Sequence, residues 1–418
     1  MGFTISPEVR NGIAIVFIIY SLVIVGLGLY VKYASRNQSA AQRLASFLTG
    51  NGNLGPIALG MIIFTNLMSS GGMIGGPGLG YNTGFIWSVA VYSSFICTFL
   101  TLVAVGKKMN IMSKRTGART LPQLFMHRYE SKLFSVILAV LFIVFLLPYC
   151  ASQFSGGGKL FATITGAENY TLGVILFAGV TVIYTLSGGI SSLAKVAVVQ
   201  GAVMIVAVIT IYVATVMGLV DQYGSFSAAM EFVSTNNPAL VSANTWDSLY
   251  FFGLLIEMTT IALPNGLSPT FTYKKSSTIV RGVVISTICF SLVQLTMSGL
   301  GPLGYALNPN LSSGDYVVPM LLSSVLPPWM GGIVVSGVAA AVQSTVASFL
   351  LIISSSIIED IYQGIRPNTS DVTLNRGNKI STLIAAIIAV IIALYPNENI
   401  QLIVNFAIGG ICSGFLFP

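Results

Sequence analysis

The fold is decided by the stretch Phe64-Thr-Asn-Leu-Met-Ser-Ser-Gly-Gly-Met-Ile-Gly-Gly-Pro-Gly78, which interrupts a run otherwise apolar enough to cross a membrane. It holds five glycines, one proline and two serines, and a regular helix containing them loses stability. Unwound backbone is tolerated in a bilayer only where protein buries it or it lines a wet cavity. The pattern therefore predicts a broken membrane helix at a binding site. Two simpler interpretations are close helix packing through the glycines and a helix that ends at Gly78.

The composition around this stretch is that of a membrane protein. Apolar residues make up 54% of the 418 positions and charged residues only 7%, whereas soluble domains carry about 25% charged residues. Apolar runs of about twenty residues, the length that crosses a hydrocarbon core, recur along the chain. We predict eleven transmembrane helices, at residues 11–31, 54–76, 84–106, 133–153, 170–189, 197–219, 248–266, 280–303, 327–353, 380–396 and 399–418.

The formal charge of +7 follows the connecting segments. Segment 107–132 alone carries seven lysines and arginines, while the segments on the other side hold only Arg10 and Lys159. An excess of Lys and Arg marks the cytoplasmic face, so we predict a multi-pass protein of the cell membrane whose N-terminus lies outside. The charge then needs no nucleic-acid partner. Because no basic region precedes the first apolar run, we expect the first helix to be retained rather than cleaved.

A second interruption, Ile261-Ala-Leu-Pro-Asn-Gly-Leu-Ser-Pro269, lies in the seventh predicted helix. Helices two to six and seven to eleven each number five, an odd number, so the two groups enter the membrane in opposite senses. This is the requirement for an inverted repeat, whose binding site forms at the midplane from interrupted helices. The predicted division is an N-terminal helix and cytoplasmic loop (1–53), a first repeat (54–219), an external loop (220–247) and a second repeat (248–418).

The ninth predicted helix carries Ala341-Val-Gln-Ser-Thr345. Ala341, Ser344 and Thr345 fall at i, i+3 and i+4 and so share one helical face. Two hydroxyls and a carbonyl suit a small monovalent cation, and Thr65 and Met68 of the first interruption could add two more carbonyls. The alternative is that both hydroxyls bond back to their own helix. The residues alone leave the two interpretations open.

Other polar residues near the interruptions are candidates for contact with a solute. Glu257 is the single acid deep in a predicted span, where a charge costs about 2.5–3.5 kcal/mol; it would bind an amine, hold a proton, or lie shallow and hydrogen-bonded. Polar amides in spans also serve as contacts between helices. The candidate solute-contacting residues are Ser69, Ser70, Gly71, Gly72, Gln153, Glu257, Asn265 and Ser268.

Four stretches together resemble the sodium:solute symporter family over essentially the whole chain, most of all its pantothenate-permease-like branch. The first is Met73-Ile-Gly-Gly-Pro-Gly78 with Tyr81 and Trp87, and the second is Arg119-Thr-Leu-Pro-Gln-Leu-Phe125 with Arg128-Tyr129. The others are Tyr184-Thr-Leu-Ser-Gly-Gly-Ile190, and Ala341–Thr345 with Ser354-Ser-Ser-Ile-Ile-Glu-Asp-Ile-Tyr362. Any one of these stretches alone is a modest signal.

The resemblance implies an all-α membrane protein with the five-plus-five inverted-repeat (LeuT-like) fold, one extra N-terminal helix and usually two more C-terminal helices. The latter are not among residues 1–418, so we expect a C-terminally shortened form. It also implies Na⁺ as the coupling ion, held by Thr65, Met68, Ala341, Ser344 and Thr345. Where pantothenate-type members carry a histidine and an arginine, this chain has Asn265 and Pro269, which argues against pantothenate itself.

The predicted function is sodium-coupled symport of a small organic solute, such as a vitamin, carboxylate or amino acid, by alternating access. The alternatives are a proton-coupled carrier and a solute sensor derived from a transporter. A membrane enzyme is disfavoured, because the sequence offers no nucleophile–base pair, no metal-ligand cluster and no lysine after its glycine cluster to form a phosphate-binding loop. A channel would need an open file of ligands.

Overall fold

In the computed structural model, residues 7–89, 91, 102–165, 169–242, 263–395 and 400–415 are described. Within these ranges all regular structure is helical. The α-helices are α1 (Pro7–Ala34), α2 (Ala40–Thr49), α3 (Pro56–Leu67), α4 (Gly76–Thr83), α5 (Lys107–Thr116), α6 (Leu121–Tyr129), α7 (Lys132–Thr165), α8 (Tyr170–Gly188), α9 (Ile190–Tyr223), α10 (Phe226–Asn236), α11 (Pro264–Leu267), α12 (Ser276–Leu307), α13 (Val317–Ser324), α14 (Pro328–Ser355), α15 (Asp371–Ala393) and α16 (Ile400–Phe415).

Seven helices of the described residues are long and apolar enough to cross a membrane, and α2 with α3 forms a further candidate bent by 93°. They differ strongly in burial. The apolar window of α14 is 94% buried inside the protein, whereas that of α1 is 28% buried. On α1, Ile15, Ile18 and Leu22 are more than half exposed, as expected for side chains that face lipid tails. α14 is therefore the central helix, and α1, α7 and α9 pack around it.

The observed helices follow the predicted spans, with differences at some ends and in the connecting segments, where α5, α6 and α13 also lie. α7 continues to Thr165, beyond the predicted end at 153, although Pro148 lies inside it. The predicted external loop 220–247 contains α10, whose N-terminus is capped when the Ser225 hydroxyl accepts the Ala228 N–H. The segment after the first span contains α2, which begins with a reciprocal capping box between Ser39 and Gln42. These local capping signals make helices in segments that apolar length alone marks as loops.

Four predicted spans lie partly outside the described residues, the tenth and eleventh only at residues 396, 399 and 416–418. Residues 92–101, in the third span, and 243–262, in the seventh, are not described. The third span ends in a π-helical turn, Leu102–Gly106, that runs into α5. The described part of the seventh begins at Leu263, in extended conformation, and continues into α11 and a 3₁₀ turn at Ser268–Thr272. Both predicted interruptions can therefore be located.

Candidate functional site

The first interruption lies at Met68 and Ser69, between α3 and a π-helical turn at Gly71–Gly75 that leads into α4. Met68 is extended, with φ −80° and ψ 133°, so the ladder of helical hydrogen bonds stops there. The last carbonyls of a helix have no partner within it, and in a buried helix they need one from elsewhere. The break therefore leaves several α3 carbonyl oxygens open to side chains from other elements.

Two of these carbonyls accept hydrogen bonds from α14. The Ser344 hydroxyl donates to the Thr65 oxygen at 2.8 Å, and its Oγ also lies 3.1 Å from the oxygen of Ala341. The Thr345 hydroxyl donates to the Met68 oxygen. All five residues are at most 3% exposed. The structure thus brings together every residue that the sequence predicts as a sodium ligand.

A third carbonyl, that of Asn66, is bound from the second interruption. The side-chain amide of Asn265 donates to the backbone oxygen of Asn66 at 2.6 Å. In return, the side-chain amide of Asn66 donates to the backbone oxygen of Asn265 at 3.1 Å. The two residues are 3% and 2% exposed. The two interruptions therefore meet in the interior through a reciprocal pair of side-chain-to-backbone hydrogen bonds.

The hydroxyls of the second interruption bond to their own segment. Ser268 donates to the Pro264 oxygen at 2.6 Å and Thr270 to the Leu267 oxygen at 2.6 Å. Thr272 donates to the Pro269 oxygen at 2.5 Å. The segment is anchored near its end by Asn110, which donates to the oxygens of Thr270 and Tyr273. These three hydroxyls therefore stabilise the turns of their own segment and donate no hydrogen bond to α14.

On its opposite face α14 is held by a buried polar network at Gln343. The hydroxyl of Tyr20 on α1 donates to the Gln343 side-chain oxygen at 2.9 Å, and the hydroxyl of Tyr184 on α8 donates to the Gln343 backbone oxygen at 2.7 Å. Gln200 of α9 reaches the Tyr20 oxygen at 3.4 Å. Since Gln343 directly precedes Ser344, this network fixes the helix that presents the two hydroxyls.

The predicted solute-contacting residues cluster around the first interruption. The Gln153 side-chain oxygen accepts the Ser70 N–H at 2.7 Å, so α7 contacts the break directly. The Ser69 hydroxyl accepts the Gly72 N–H at 3.4 Å. An added Cβ at Gly72 would lie 2.8 Å from the side-chain oxygen of Gln294, so a larger residue there would have to displace that side chain. Gly71 lies between Ser70 and Gly72 in the chain. Glu257 lies outside the described residues.

A small cleft lies between the two interruptions, α14 and the start of α6. Asn66 and Ser268, from the two interruptions, line the cleft together with Ser348, which lies one turn after Ser344 on α14. Arg119 and Thr120, at the start of α6, line it as well. The cleft therefore borders both interruptions, α14 and the start of α6.

The oxygen set of α3 and α14 fits a monovalent cation chemically. Its members are three backbone carbonyls and two hydroxyls, all neutral, and unwound carbonyls with half-helix C-termini are the usual Na⁺ ligands in transporters of this construction. The C-terminal end of α3 adds the negative end of its dipole. In the described part of the chain, no group of three or more His, Cys, Asp or Glu residues could hold a metal ion.

Comparison with known proteins identifies the family. A model of the sodium:solute symporter family matches residues 47–418. The chain is a member of the sodium:solute symporter family. Among curated relatives, the sodium/pantothenate symporter of Escherichia coli (strain K12) is 30% identical over 96% of this chain and 83% of its own length. The sodium/proline symporter of Haemophilus influenzae is 29% identical, over 96% of this chain and 81% of its own.

A solved structure confirms the predicted fold of this symporter. The structure of a Na⁺-coupled sialic acid symporter in a substrate-bound, outward-open state superposes with a TM-score of 0.84, at 16% identity, over 97% of this chain and 86% of that one. The protein therefore has the all-α, five-plus-five inverted-repeat (LeuT-like) fold. It is a multi-pass membrane symporter that couples a small organic solute to sodium, and its function is transport rather than catalysis.

Several contacts that shape this site carry no signal in the sequence. Tyr20 and Tyr184 lie in ordinary apolar helices, and nothing in the pattern indicates that both contact Gln343. The mutual bonding of Asn66 and Asn265, 199 positions apart, is likewise invisible in either segment. The one available clue was Gln343 itself, an amide in a helix otherwise composed of small and apolar residues.

Proposed function

We propose that sodium binds among the oxygens of Thr65, Met68, Ala341, Ser344 and Thr345. The observation that carries this proposal is the pair of contacts from the Ser344 and Thr345 hydroxyls to the Thr65 and Met68 carbonyls. For the ion to enter, each hydroxyl hydrogen turns away and its oxygen lone pairs face sodium, as the carbonyl oxygens already do. Five neutral oxygens then replace the water around one positive charge.

Binding at this point would couple the ion to the solute. Sodium would join the end of α3 to α14 and so fix the geometry of the interruption that follows. We propose that the solute is held there, by Ser69, Ser70, Gly71 and Gly72 from the first repeat and Gln153, Asn265 and Ser268 from neighbouring elements, with Glu257 as a further contact. The coupling is reciprocal, so the solute must raise the sodium affinity by the same factor.

We also propose the orientation and the division of the chain. The distribution of Lys and Arg supports an N-terminus outside the cell membrane, with the segments 32–53 and 107–132 in the cytoplasm. The first repeat is assigned to 54–219 and the second to 248–418, preceded by the N-terminal helix and loop (1–53) and separated by the external segment 220–247. In this orientation the cleft lined by Arg119, Thr120 and Ser348 opens to the cytoplasm and would serve release.

The test is solute uptake into proteoliposomes under inward gradients of sodium or potassium, with pantothenate and proline as the first probes. The double substitution Ser344→Ala, Thr345→Ala should abolish the sodium-dependent component. Ser336→Ala is the matched control, because the Ser336 hydroxyl is on the same helix, 2% exposed, and bonded to the Gly332 oxygen of its own turn. Uptake by the double variant with unchanged sodium dependence would refute the assignment.

A further inference from the structure

Three polar groups beside the interruptions have unused hydrogen-bonding capacity. They are the hydroxyl of Ser70, the side-chain nitrogen of Gln153 and the side-chain oxygen of Asn265, none of which has a hydrogen-bond partner among the residues that the structure describes. The three residues are 1%, 0% and 2% exposed. Buried polar groups are paired in nearly all native proteins, and leaving one unpaired is destabilising. A partner from outside the chain would satisfy all three.

The orientation of both amides is fixed by the backbone. The Gln153 oxygen accepts the N–H of Ser70, so the free end of this side chain is its NH₂ group, a donor. The Asn265 nitrogen donates to the carbonyl of Asn66, so the free end of that side chain is its oxygen, an acceptor. Rotating either amide by 180° would oppose two donors or two acceptors. The site therefore offers one defined donor and one defined acceptor.

Both side-chain amides are hydrogen-bonded to the backbone of the same short segment, residues 66–70. Gln153 binds at Ser70 and Asn265 binds at Asn66, four residues apart, which limits the separation of these two points to at most about 14 Å. A small solute spans such a distance. Residues 64–83 and 263–273, which include the described parts of the two interruptions, contain no Asp, Glu, Lys or Arg. No ionic group within these two ranges therefore competes for the solute.

We propose that the transported solute presents a neutral group, with an acceptor beside a donor, to Gln153 and Asn265. A carboxamide has this arrangement: its oxygen accepts from the Gln153 NH₂ group and its N–H donates to the Asn265 oxygen. A hydroxyl does the same with one atom, and the Ser70 hydroxyl can complete either pattern. This inference rests on the proposed solute site at the interruptions and specifies which functional group of the solute that site recognises.

A carboxylate does not match these groups. An ionised carboxylate only accepts hydrogen bonds, so it would place an oxygen against the Asn265 oxygen and leave that acceptor unpaired. Sites built to hydrogen-bond a polar group discriminate strongly against analogues that lack the matching atom. Gln153 and Asn265 therefore select for amides and hydroxyls at this end of the solute.

The test uses matched pairs of solutes that differ at one group and carry no other amide or hydroxyl, such as proline with prolinamide. Thermal unfolding of the purified protein is measured with each, in sodium and in potassium. We expect neutral members to stabilise the protein in sodium, with apparent affinities roughly tenfold or more above those of their acids. Acids that bind as well as their neutral partners would overturn the inference, and so would the absence of stabilisation by every neutral member.

A substitution then tests the residue itself. Gln153→Glu keeps an oxygen for the Ser70 N–H but replaces the free donor, so the affinity for neutral solutes should fall at least tenfold. Gln42→Glu makes the same chemical change in the exposed capping box of α2 and should have no effect. Should Gln153→Glu fail to fold, Ser70→Ala serves instead, with an expected loss of about fivefold. Affinities within threefold of the unmodified protein would contradict the assignment.

Stabilisation by sodium without any solute separates this inference from the sodium site. If Gln153→Glu retains the sodium effect and loses the solute effect, both proposals hold. If the unmodified protein responds to acids rather than to neutral solutes but still responds to sodium alone, only the solute chemistry is wrong. If sodium alone has no effect on the unmodified protein, the sodium site fails independently.

Discussion

The two interruptions are made by similar residues but differ in where their polar groups find hydrogen-bond partners. At the first, around Met68, the carbonyls of Thr65, Asn66 and Met68 are bound by side chains from other elements. At the second, between Leu263 and Tyr273, the hydroxyls of Ser268, Thr270 and Thr272 bond to carbonyls of the same segment. The carbonyls of the first interruption thus accept hydrogen bonds from side chains of other elements, whereas the hydroxyls of the second donate within their own segment.

This difference suggests that the two interruptions have different roles in binding the ion and the solute. An ion needs several oxygens that can turn toward it, which the first interruption and α14 supply together. The second interruption contributes one side chain, Asn265, that binds the first interruption and still has a free oxygen. We therefore expect substitutions of the proposed sodium ligands on α3 and α14 to act mainly on sodium, those of Asn265 to act on both ligands, and those of the hydroxyls of the second interruption to act on neither.

The largest effect is expected for Thr345→Val, which removes a hydroxyl from α14 and preserves the branched shape. A hydrogen bond to a charged group contributes about 1.5–3 kcal/mol, which corresponds to a roughly 10- to 150-fold rise in the sodium concentration for half-maximal uptake. The measurement is a sodium titration of uptake at fixed solute. A change below threefold would show that the Thr345 hydroxyl does not contact the ion.

Asn265→Ala should have the next largest effect and should act on both ligands. It removes the donor to the Asn66 carbonyl, which lies between two proposed sodium ligands, and it removes the free oxygen offered to the solute. We expect the half-saturating concentrations of sodium and solute each to rise about tenfold. Asn265→Asp keeps the free oxygen and loses the donor, so it should impair sodium binding more than solute binding; the reverse order would contradict the proposed coupling.

Tyr20→Phe tests the opposite face of α14 and should have a smaller effect. It removes the hydrogen bond to Gln343 without creating a cavity, and a single such bond contributes about 0.5–1.5 kcal/mol. We expect a two- to fivefold rise in the sodium requirement, with the solute constant unchanged at saturating sodium. A purely structural role would lower the unfolding temperature and leave the sodium titration unchanged.

The smallest effect is expected at the hydroxyls of the second interruption. Thr272→Val removes a hydroxyl that donates to the Pro269 oxygen of its own segment. Sodium and solute constants should both stay within about twofold in uptake titrations. A tenfold sodium effect would mean that the second interruption also supplies ion ligands, and the contrast between the two regions would fail.

The sequence predicted the long apolar spans and their interruptions, because apolar runs and glycine and proline clusters are local signals. The residues of α14 left a cation site and bonding within the helix open, and the full set of sodium-ligand candidates came from the family resemblance. The sequence did not reveal the pairing of Asn66 with Asn265 or the contacts of Tyr20 and Tyr184 with Gln343, since these depend on how distant helices pack. It also classed α2 and α10 as loops, because short helices that begin at Ser39 and Ser225 depend on capping rather than on apolar length.

The most direct measurement of the central claim is equilibrium binding of ²²Na⁺ to the purified protein without solute. In the unmodified protein and in Ser336→Ala we predict saturable binding that sodium displaces and potassium does not. In the double variant Ser344→Ala, Thr345→Ala, folded as judged by thermal unfolding, binding should be absent. Saturable binding of unchanged affinity in that double variant would contradict a sodium site between α3 and α14.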